Sequence, residues 1–190
     1  MRELNRKVGT PHAPKPKIDR LTFDLLQKLC VERRDEIEDK LKEFKRAGGK
    51  PDGDIFEELV YCMLTVQSSA RSAERGIAQL RRKGLLLHGR SREVEGCLRG
   101  VRFARTKAKR IIGARRMFSS KNGIKAMLPA DPQLARRFLA KNVEGIGYKE
   151  ASHFLRNIGY CGLAILDRHV LRGLFDLKVI EAVGRVGKGR

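Results

Sequence analysis

Apolar residues recur along this chain with the period of an α-helix. Residues from about Thr22 to Arg46 are predicted to form the first helix, since apolar side chains share one face at i, i+4 and i+7: Ile37, Leu41 and Phe44. A Gly-rich break at 48–53 ends it. The next helix, capped by Asp52 or Asp54, carries a continuous apolar stripe made of Phe56, Leu59, Val60, Met63 and Leu64. We predict that this second helix is central and buried.

Three further helices follow, separated by short polar segments. After the segment 65–70, the first of them points Ala73, Ile77 and Leu80 inward, and a shorter helix is predicted at 91–99. Thr106 is the predicted N-cap of the third, which has Ala108, Ile111, Ile112 and Phe118 inside and Lys107, Lys109 and Arg110 outside. Arg115 interrupts the apolar face, so we expect its side chain either to snorkel to solvent or to reach toward a phosphate.

The segment 131–159 is predicted to form a helix-hairpin-helix. Asp131-Pro132 is an N-cap followed by proline at the first helical position, and the helix that follows buries Leu134, Phe138 and Leu139. The turn Val143-Glu-Gly-Ile-Gly147 leads into a helix at 148–158, which Gly159 ends. We expect Val143 and Ile146 to pack back against Leu139 and Phe154. Because only 163–166 resembles a strand, we predict an all-α, two-lobed fold with a cleft between the lobes.

Charge is the strongest compositional feature. The chain has 190 residues, and its 42 Lys and Arg against 22 Asp and Glu give a formal net charge of +20. Such an excess attracts phosphate polyanions, which favours a nucleic-acid partner over a ribosome-like or heat-adapted surface. We predict one domain at 21–183, preceded by a poorly ordered basic arm at 1–20 and followed by a flexible basic tail at 184–190.

The cysteines and the hydropathy pattern exclude several classes of protein. Four cysteines are scattered without a Cys-x-x-Cys pair, so neither a zinc site nor an iron-sulfur cluster is predicted: Cys30, Cys62, Cys97 and Cys161. Free thiols are typical of a reducing compartment. The chain has neither an apolar run of membrane-spanning length nor a signal peptide, so we expect an intracellular protein.

The hairpin places chemically useful groups together. Gly145 and Gly147 are expected to allow positive φ and close backbone approach, so that amide N–H groups at the helix start bind a phosphate without reading sequence. Lys149 stands in the first helical turn, where the helix dipole disfavours the charged ammonium form. An amine nucleophile needs the neutral form to attack carbon. A solvated surface lysine is the alternative. Asp167 either caps the next helix, which points Val170, Leu171 and Leu174 inward, or faces a cleft, or does both.

Gly145-Ile-Gly-Tyr-Lys149 with Leu166-Asp-Arg-His169 resembles the helix-hairpin-helix DNA glycosylase superfamily, and most of all its archaeal type 2 8-oxoguanine DNA glycosylase/AP lyase branch. The resemblance covers roughly residues 35 to 175. It includes Phe56 to Ala70, similar to the buried helix and intercalating loop of that branch, and the basic segment from Val101 to Arg115. The cysteine set of the endonuclease III relatives is absent after Asp167, which fits the branch without an iron-sulfur cluster.

The resemblance implies a monomeric base-excision enzyme acting on damaged double-stranded DNA. Lys149 would attack the deoxyribose C1′ and form a Schiff base, and β-elimination would then cut the strand. Asp167 would stabilise the oxocarbenium-like charge and assist activation of the amine. Gln67 and Ser68 would lie at the gap left by the flipped base, while Lys107, Val143, Gly145 and Gly147 would contact DNA. The hairpin carbonyls hold a monovalent cation in relatives, and no other cofactor is implied.

Two alternatives remain open from the sequence. The chain contains no Trp, whereas the branch usually carries an aromatic residue in a longer C-terminal helical segment that contacts the damaged base. A non-catalytic module that uses the hairpin only to bind phosphate is therefore one alternative. The other is a glycosylase of the same superfamily that prefers another oxidised base, such as an oxidised pyrimidine.

Overall fold

The computed structural model describes residues 22–119 and 123–182, which form eleven α-helices and no β-strand. The predicted all-α class is confirmed. The predicted arm at 1–20 and tail at 184–190 lie outside the described residues. In chain order the helices are α1 (Phe23–Glu32), α2 (Arg34–Gly48), α3 (Asp52–Thr65), α4 (Ala70–Arg82), α5 (Leu85–His88), α6 (Ser91–Cys97), α7 (Ala104–Ser119), α8 (Ile124–Met127), α9 (Pro132–Asn142), α10 (Tyr148–Asn157) and α11 (Arg168–Asp176).

Helix α3 is the centre of the molecule, as its apolar stripe predicts. All five stripe residues are buried, and Leu59, Val60 and Leu64 are fully inaccessible to solvent. Helices α4 and α7 pack on α3, with α5 and α6 behind them. Helix α10 also packs on α3, and α2 and α9 pack in turn on α10. These two groups are the lobes of the predicted two-lobed arrangement. Because α3 belongs to both, a change in its packing would be felt on either side.

The first predicted helix is in fact two helices. Arg33 leaves the helical region, with φ −111° and ψ 15°, and its backbone N–H closes α1 by donating to the carbonyl of Leu29. Asp35 and Glu36 then lie in the first turn of α2, where negative charge is favourable. Ile37 and Leu41 share a face as predicted, but both are exposed.

Two predicted helix caps are wrong. Pro51, and neither Asp52 nor Asp54, is the N-cap of α3, and it makes no side-chain cap. The Asp52 carboxylate instead accepts a hydrogen bond from the backbone N–H of Lys125 at 3.2 Å, because α8 folds back onto the start of α3. Thr106 lies inside α7, which begins two residues earlier at Ala104. The predicted caps at Asp131 and Gly159 are confirmed: Asp131 accepts from Leu134 N–H, and Gly159 has φ 92° after the last turn of α10.

Arg115 neither snorkels nor points toward a phosphate. Its guanidinium donates three hydrogen bonds to the carbonyls of Leu85, Leu86 and Gly89, at 2.9, 3.0 and 2.6 Å. These carbonyls belong to α5 and to the residue that ends it. Helix α5 has four residues and is too short to produce a periodic pattern. Arg115 therefore donates hydrogen bonds to carbonyls of α5 that have no partner within that helix.

Some residues predicted to point inward are exposed. Leu134 is 50% exposed because α9 buries the neighbouring face, which carries Ala135 and Leu139. Val170 is 43% exposed, and every residue of α11 is at least partly accessible to solvent. No helix within the described ranges is both long and apolar enough to cross a membrane.

Candidate DNA-repair active site

The hairpin between α9 and α10 is a tight turn fixed by apolar side chains. The N–H of Val143 donates to Leu139 O at 2.9 Å, and the N–H of Ile146 donates to Val143 O at 3.1 Å. The side chains of Val143 and Ile146 are 3% and 4% exposed and join the same core as Leu139 and Phe154. The predicted packing of the turn is confirmed, and it leaves only the backbone of Val143 available to a partner.

The two turn glycines serve different purposes. Gly145 has φ 88°, as predicted for a residue in the left-handed region. Gly147 has φ −95° and ψ −178°, so the prediction of positive φ is wrong there. Glycine at 147 instead provides space, because a Cβ would lie 3.2 Å from Oε2 of Glu150. The absent side chain thus lets a carboxylate fold over the turn.

Lys149 is the second residue of α10, and its ammonium lies beside a carboxylate. No described side chain caps α10, whose N-cap is Gly147, so the first backbone N–H groups stay available to an anion. The Lys149 side chain is 40% exposed, and its Nζ lies 3.1 Å from Oε1 of Glu150, whose side chain is only 18% exposed. The predicted position in the first turn is confirmed. The amine is accessible to solvent and contacts a partly buried carboxylate.

Asp167 caps α11 and also feels the charge of Lys149. Its Oδ1 accepts hydrogen bonds from the backbone N–H groups of His169 and Val170, both at 2.9 Å. The hydrogen bond from Val170 is the largest cause that lowers the pKa of Asp167, and the charge of the Lys149 ammonium is a smaller cause in the same direction. The capping role considered from the sequence is therefore confirmed, and the same hydrogen bonds favour the ionised carboxylate.

Lys107 is not on the outer face of α7 as predicted. It is 3% exposed, and its Nζ donates to Leu64 O at 2.8 Å, to Val66 O at 2.5 Å and to Ser68 Oγ at 3.2 Å. Burial lowers its pKa from 10.5 to about 8. The carbonyls at the end of α3 lack helical partners, and a buried ammonium satisfies them. Lys107 therefore shapes the loop after α3, and a direct contact with DNA does not fit its position.

Two loops present strained, exposed side chains next to each other. Gln67 has φ 52° and Phe103 has φ 57°, values that residues other than glycine rarely adopt. Both are exposed, Phe103 by 57%. Ser68 ties the loops together, because its Oγ accepts a hydrogen bond from the backbone N–H of Arg102 at 2.9 Å. Strain of about 1–3 kcal/mol at each residue persists only where the surroundings hold it, and it is typical of functional loops.

Sequence reasoning missed two residues of this region, Phe103 and Glu150. For Phe103 a clue was present, since an aromatic residue stands alone among arginines between Gly100 and a helix. For Glu150 the sequence offered no clue, because adjacent residues of a helix do not ordinarily face each other. Within the two described ranges, no group of three or more His, Cys, Asp or Glu side chains could hold a metal ion.

Comparison with known proteins gives consistent matches over most of the chain. The sequence model of the family described as "8-oxoguanine DNA glycosylase" matches residues 37–188. A protein of Fusobacterium nucleatum named "8-oxoguanine DNA glycosylase/AP lyase" is 38% identical over 165 residues, which are 84% of this chain and 76% of that protein. One of the same name from Methanocaldococcus jannaschii is 40% identical over 154 residues, or 80% of this chain and 72% of that protein.

Solved structures agree with the sequence matches. The crystal structure of the Thermotoga maritima 8-oxoguanine DNA glycosylase superposes with a TM-score of 0.75 at 34% identity, covering 87% of this chain and 78% of that one. The Methanocaldococcus jannaschii 8-oxoguanine glycosylase/lyase, solved in complex with 15mer DNA containing 8-oxoguanine, gives a TM-score of 0.74 at 35% identity over 85% and 78% of the two chains. The helix-hairpin-helix, the all-α fold and these matches lead to one conclusion: the chain belongs to the 8-oxoguanine DNA glycosylase family.

Proposed function

We propose that this protein is a bifunctional 8-oxoguanine DNA glycosylase/AP lyase that acts on damaged double-stranded DNA inside the cell. The observation that carries the proposal is Lys149, a half-exposed amine in the first turn of an uncapped helix, with the ionised Asp167 near enough to feel its charge. Family membership supplies the reaction, since the relatives named above are glycosylase/AP lyases. In the alternative of a non-catalytic module, Asp167 would serve only as the cap of α11, and the first-turn position of Lys149 would have no role in chemistry.

In the proposed reaction, Lys149 is the nucleophile. Its neutral amine attacks C1′ of the damaged nucleotide, the bond from C1′ to the base breaks, and the sugar ring opens to leave an iminium between C1′ and Nζ. Loss of a proton from C2′ then expels the 3′ phosphate and cuts the strand by β-elimination. The partial exposure of Lys149 supports this role, because a flipped sugar must reach Nζ from the solvent side.

Asp167 stabilises the positive charge that develops on the sugar. Its two backbone hydrogen bonds hold Oδ1 in place and favour the carboxylate, so its negative charge is present before the reaction begins. A fixed charge of this kind needs no reorganisation in the transition state, which is how electrostatic groups lower barriers most effectively. Asp167 thus acts through charge, while its capping of α11 fixes where that charge lies.

The side chains of Gln67 and Phe103 insert into the DNA duplex after base flipping. The two residues stand on loops that Ser68 joins, both are exposed, and both have backbones held in strained conformations. A side chain of either kind can enter a base stack, and unstacking energy of a few kcal/mol is recovered by such insertion. We assign Gln67 to the gap left by the damaged base and the aromatic ring of Phe103 to the opposite strand.

The hairpin binds the DNA backbone. The free N–H groups at the start of α10 would take one phosphate, and Gly145, which has positive φ, leaves room for the Arg110 side chain beside the turn. Backbone carbonyls of the turn 143–147 are hard oxygen donors that suit a monovalent cation. They would be its ligands, because the Glu144 carboxylate is already paired with Arg110 at 3.3 Å. Tighter DNA binding in potassium than in choline at equal ionic strength would support this cation. We expect one chain to bind one duplex as a monomer.

Borohydride trapping tests the proposal. The protein is incubated with duplexes that carry 8-oxoguanine, an abasic site or an oxidised pyrimidine, and the mixture is then reduced. We expect a covalent protein–DNA adduct with the first two substrates, which Lys149→Gln abolishes. Absence of an adduct on every duplex would leave the non-catalytic module as the function. An adduct with the oxidised pyrimidine but none with 8-oxoguanine would instead assign a different lesion.

A further inference from the structure

Glu150 makes an unusual contact for its position in the chain. Residues i and i+1 of a helix point about 100° apart and do not normally meet. Here Lys149 Nζ and Glu150 Oε1 are nevertheless 3.1 Å apart, and Oε2 of the same carboxylate lies 3.2 Å from the position that a Cβ of residue 147 would take. The Glu150 side chain thus bends back toward the turn, and the Lys149 ammonium contacts it. The 18% exposure of Glu150 means that little water competes for its oxygens.

The other carboxylate near the amine is poorly suited to accept a proton. Oδ1 of Asp167 already accepts two backbone hydrogen bonds, and these hold its pKa below the usual value. A carboxylate stabilised in this way is a weak base and remains an anion. The amine must nevertheless lose a proton before it can attack carbon. Glu150 is the described carboxylate in direct contact with Nζ, and none of its oxygens accepts a backbone hydrogen bond within the described chain.

We propose that Glu150 is the general base that deprotonates Lys149, which divides the work of the site between two carboxylates. The proposal rests on the proposed function. One ammonium proton passes from Nζ to Glu150 and ends on the departing base, which leaves with the electron pair of its bond to C1′. A second proton ends on O4′ when the ring opens, and the third stays on the iminium nitrogen. Atoms and charge therefore balance without a further reactant.

Three ionisable groups on the helices near Glu150 do not change charge between pH 7 and 9: Cys62, His153 and Arg156. Burial raises the pKa of the Cys62 thiol on α3 well above its ordinary value. Burial, together with the charges of Arg156 and Lys149, lowers the pKa of His153 on α10 below 6.5. Arg156 stays charged throughout. A pH dependence that distinguishes a Glu150 variant from the parent in this range therefore reports on the contact between Glu150 and Lys149.

The test is the single-turnover rate of adduct formation on an abasic duplex, measured from pH 6.5 to 9.5 with saturating protein. For Glu150→Gln we expect a rate roughly 100-fold below that of the parent at pH 7, the size typical of a lost general base, and a deficit that shrinks as the pH rises. Glu150→Asp, which keeps a carboxylate, should lose less than about tenfold. Glu38→Gln, on the exposed face of α2, carries the same charge change and should behave like the parent.

Several results would overturn the proposal. A Glu150→Gln rate equal to or above that of the parent at pH 7 would mean that the carboxylate only holds the ammonium. A deficit of the same size at every pH would indicate a structural role. If Glu150→Gln melts below the assay temperature, the pH profile of Glu150→Asp decides. Should the parent form no adduct, the proposed function fails, whereas a parent adduct lost in Lys149→Gln but unchanged in Glu150→Gln defeats only the role of Glu150.

Discussion

Lys149 and Asp167 are far apart in the chain but share a structural logic, since each stands at the start of a helix. Lys149 occupies the first turn of α10, and Asp167 is the N-cap of α11. Helix starts carry unpaired N–H groups and positive potential, which hold anions in place. In the proposed function, the same feature that fixes the Asp167 carboxylate would also bind a phosphate beside Lys149. One type of local geometry thus supplies both binding and chemistry.

Replacement of Asp167 by asparagine should separate its charge from its capping. Asparagine caps helices as well as aspartate does, so the melting temperature should change little, whereas Asp167→Ala should cost about 1 kcal/mol of stability. Loss of the negative charge should slow the release of 8-oxoguanine about 100-fold. Single-turnover kinetics and thermal melting measure the two effects. An Asp167→Asn protein with the parent rate would show that the carboxylate serves only as a cap.

Residue positions could be predicted from the sequence where local chemistry decides them. The first-turn position of Lys149 and the cap formed by Asp167 follow from turn residues and helix periodicity, and both are observed. The contact between Lys149 and Glu150 was not predictable, because it depends on the Glu150 side chain bending back toward Gly147. Nor was the burial of Lys107, since a lysine beside other cations on a helix usually faces water.

At the scale of elements, the loop after α3 depends on a residue from α7. The Lys107 ammonium binds two carbonyls near the end of α3 and the Ser68 hydroxyl, and Ser68 in turn holds the backbone of Arg102. The positions of Gln67 and Phe103 therefore depend on one buried cation. A methionine at 107 would keep the volume and apolar stem but remove all three hydrogen bonds.

Lys107→Met should destabilise the protein by about 2 kcal/mol at pH 7, because buried carbonyls lose their partner. Its pH dependence is diagnostic. Between pH 8 and 10.5 folded Lys107 loses its proton while the unfolded chain retains it, so this residue makes the free energy of unfolding rise with pH. The stability of the parent relative to Lys107→Met should therefore increase across this window in denaturant titrations. A constant difference between the two proteins would contradict a pKa near 8.

Long helices with one apolar face were predictable, but short elements were not. The buried stripe of α3 and the inward residues of α4 appear as their periodicity indicates. Helices α5 and α8 have four residues each and exist because other segments satisfy their ends, as Arg115 does for α5. The break at Arg33 interrupts a pattern that is continuous in the sequence. Such features are set by tertiary contacts, which single-sequence patterns do not contain.

At the scale of the whole molecule, positive charge governs encounter with DNA. A net charge of +20 on 190 residues gives affinity for any duplex, and the binding constant should fall steeply with salt as counterions are released. Exposed basic residues of α7, such as Arg105 and Lys109, lie on the helix that follows Phe103. They are therefore suited to contact phosphates beside Gln67 and Phe103. Charge explains attraction to DNA but does not select the lesion.

Arg105→Gln should weaken binding to undamaged duplex and lower the slope of log K against log salt by about one unit. The loss should be the same for different sequences, because a phosphate contact carries no base information. Fluorescence anisotropy across a salt series measures both quantities. Lys28→Gln in α1 is the matched control, since Lys28 is already paired with Glu32 at 3.9 Å, and it should leave the slope unchanged. Equal slopes for parent and Arg105→Gln would remove Arg105 from the interface.

The central claim is that Lys149 forms the covalent bond to DNA, and mass spectrometry of the borohydride-reduced adduct tests it most directly. The adduct formed with an 8-oxoguanine duplex is digested with nuclease and protease, and the modified peptide is sequenced. We predict a reduced sugar on Nζ of Lys149 and an unmodified Lys107. A sugar attached to Lys107, to another lysine or to the N-terminal amine would contradict the assignment of Lys149 as the nucleophile.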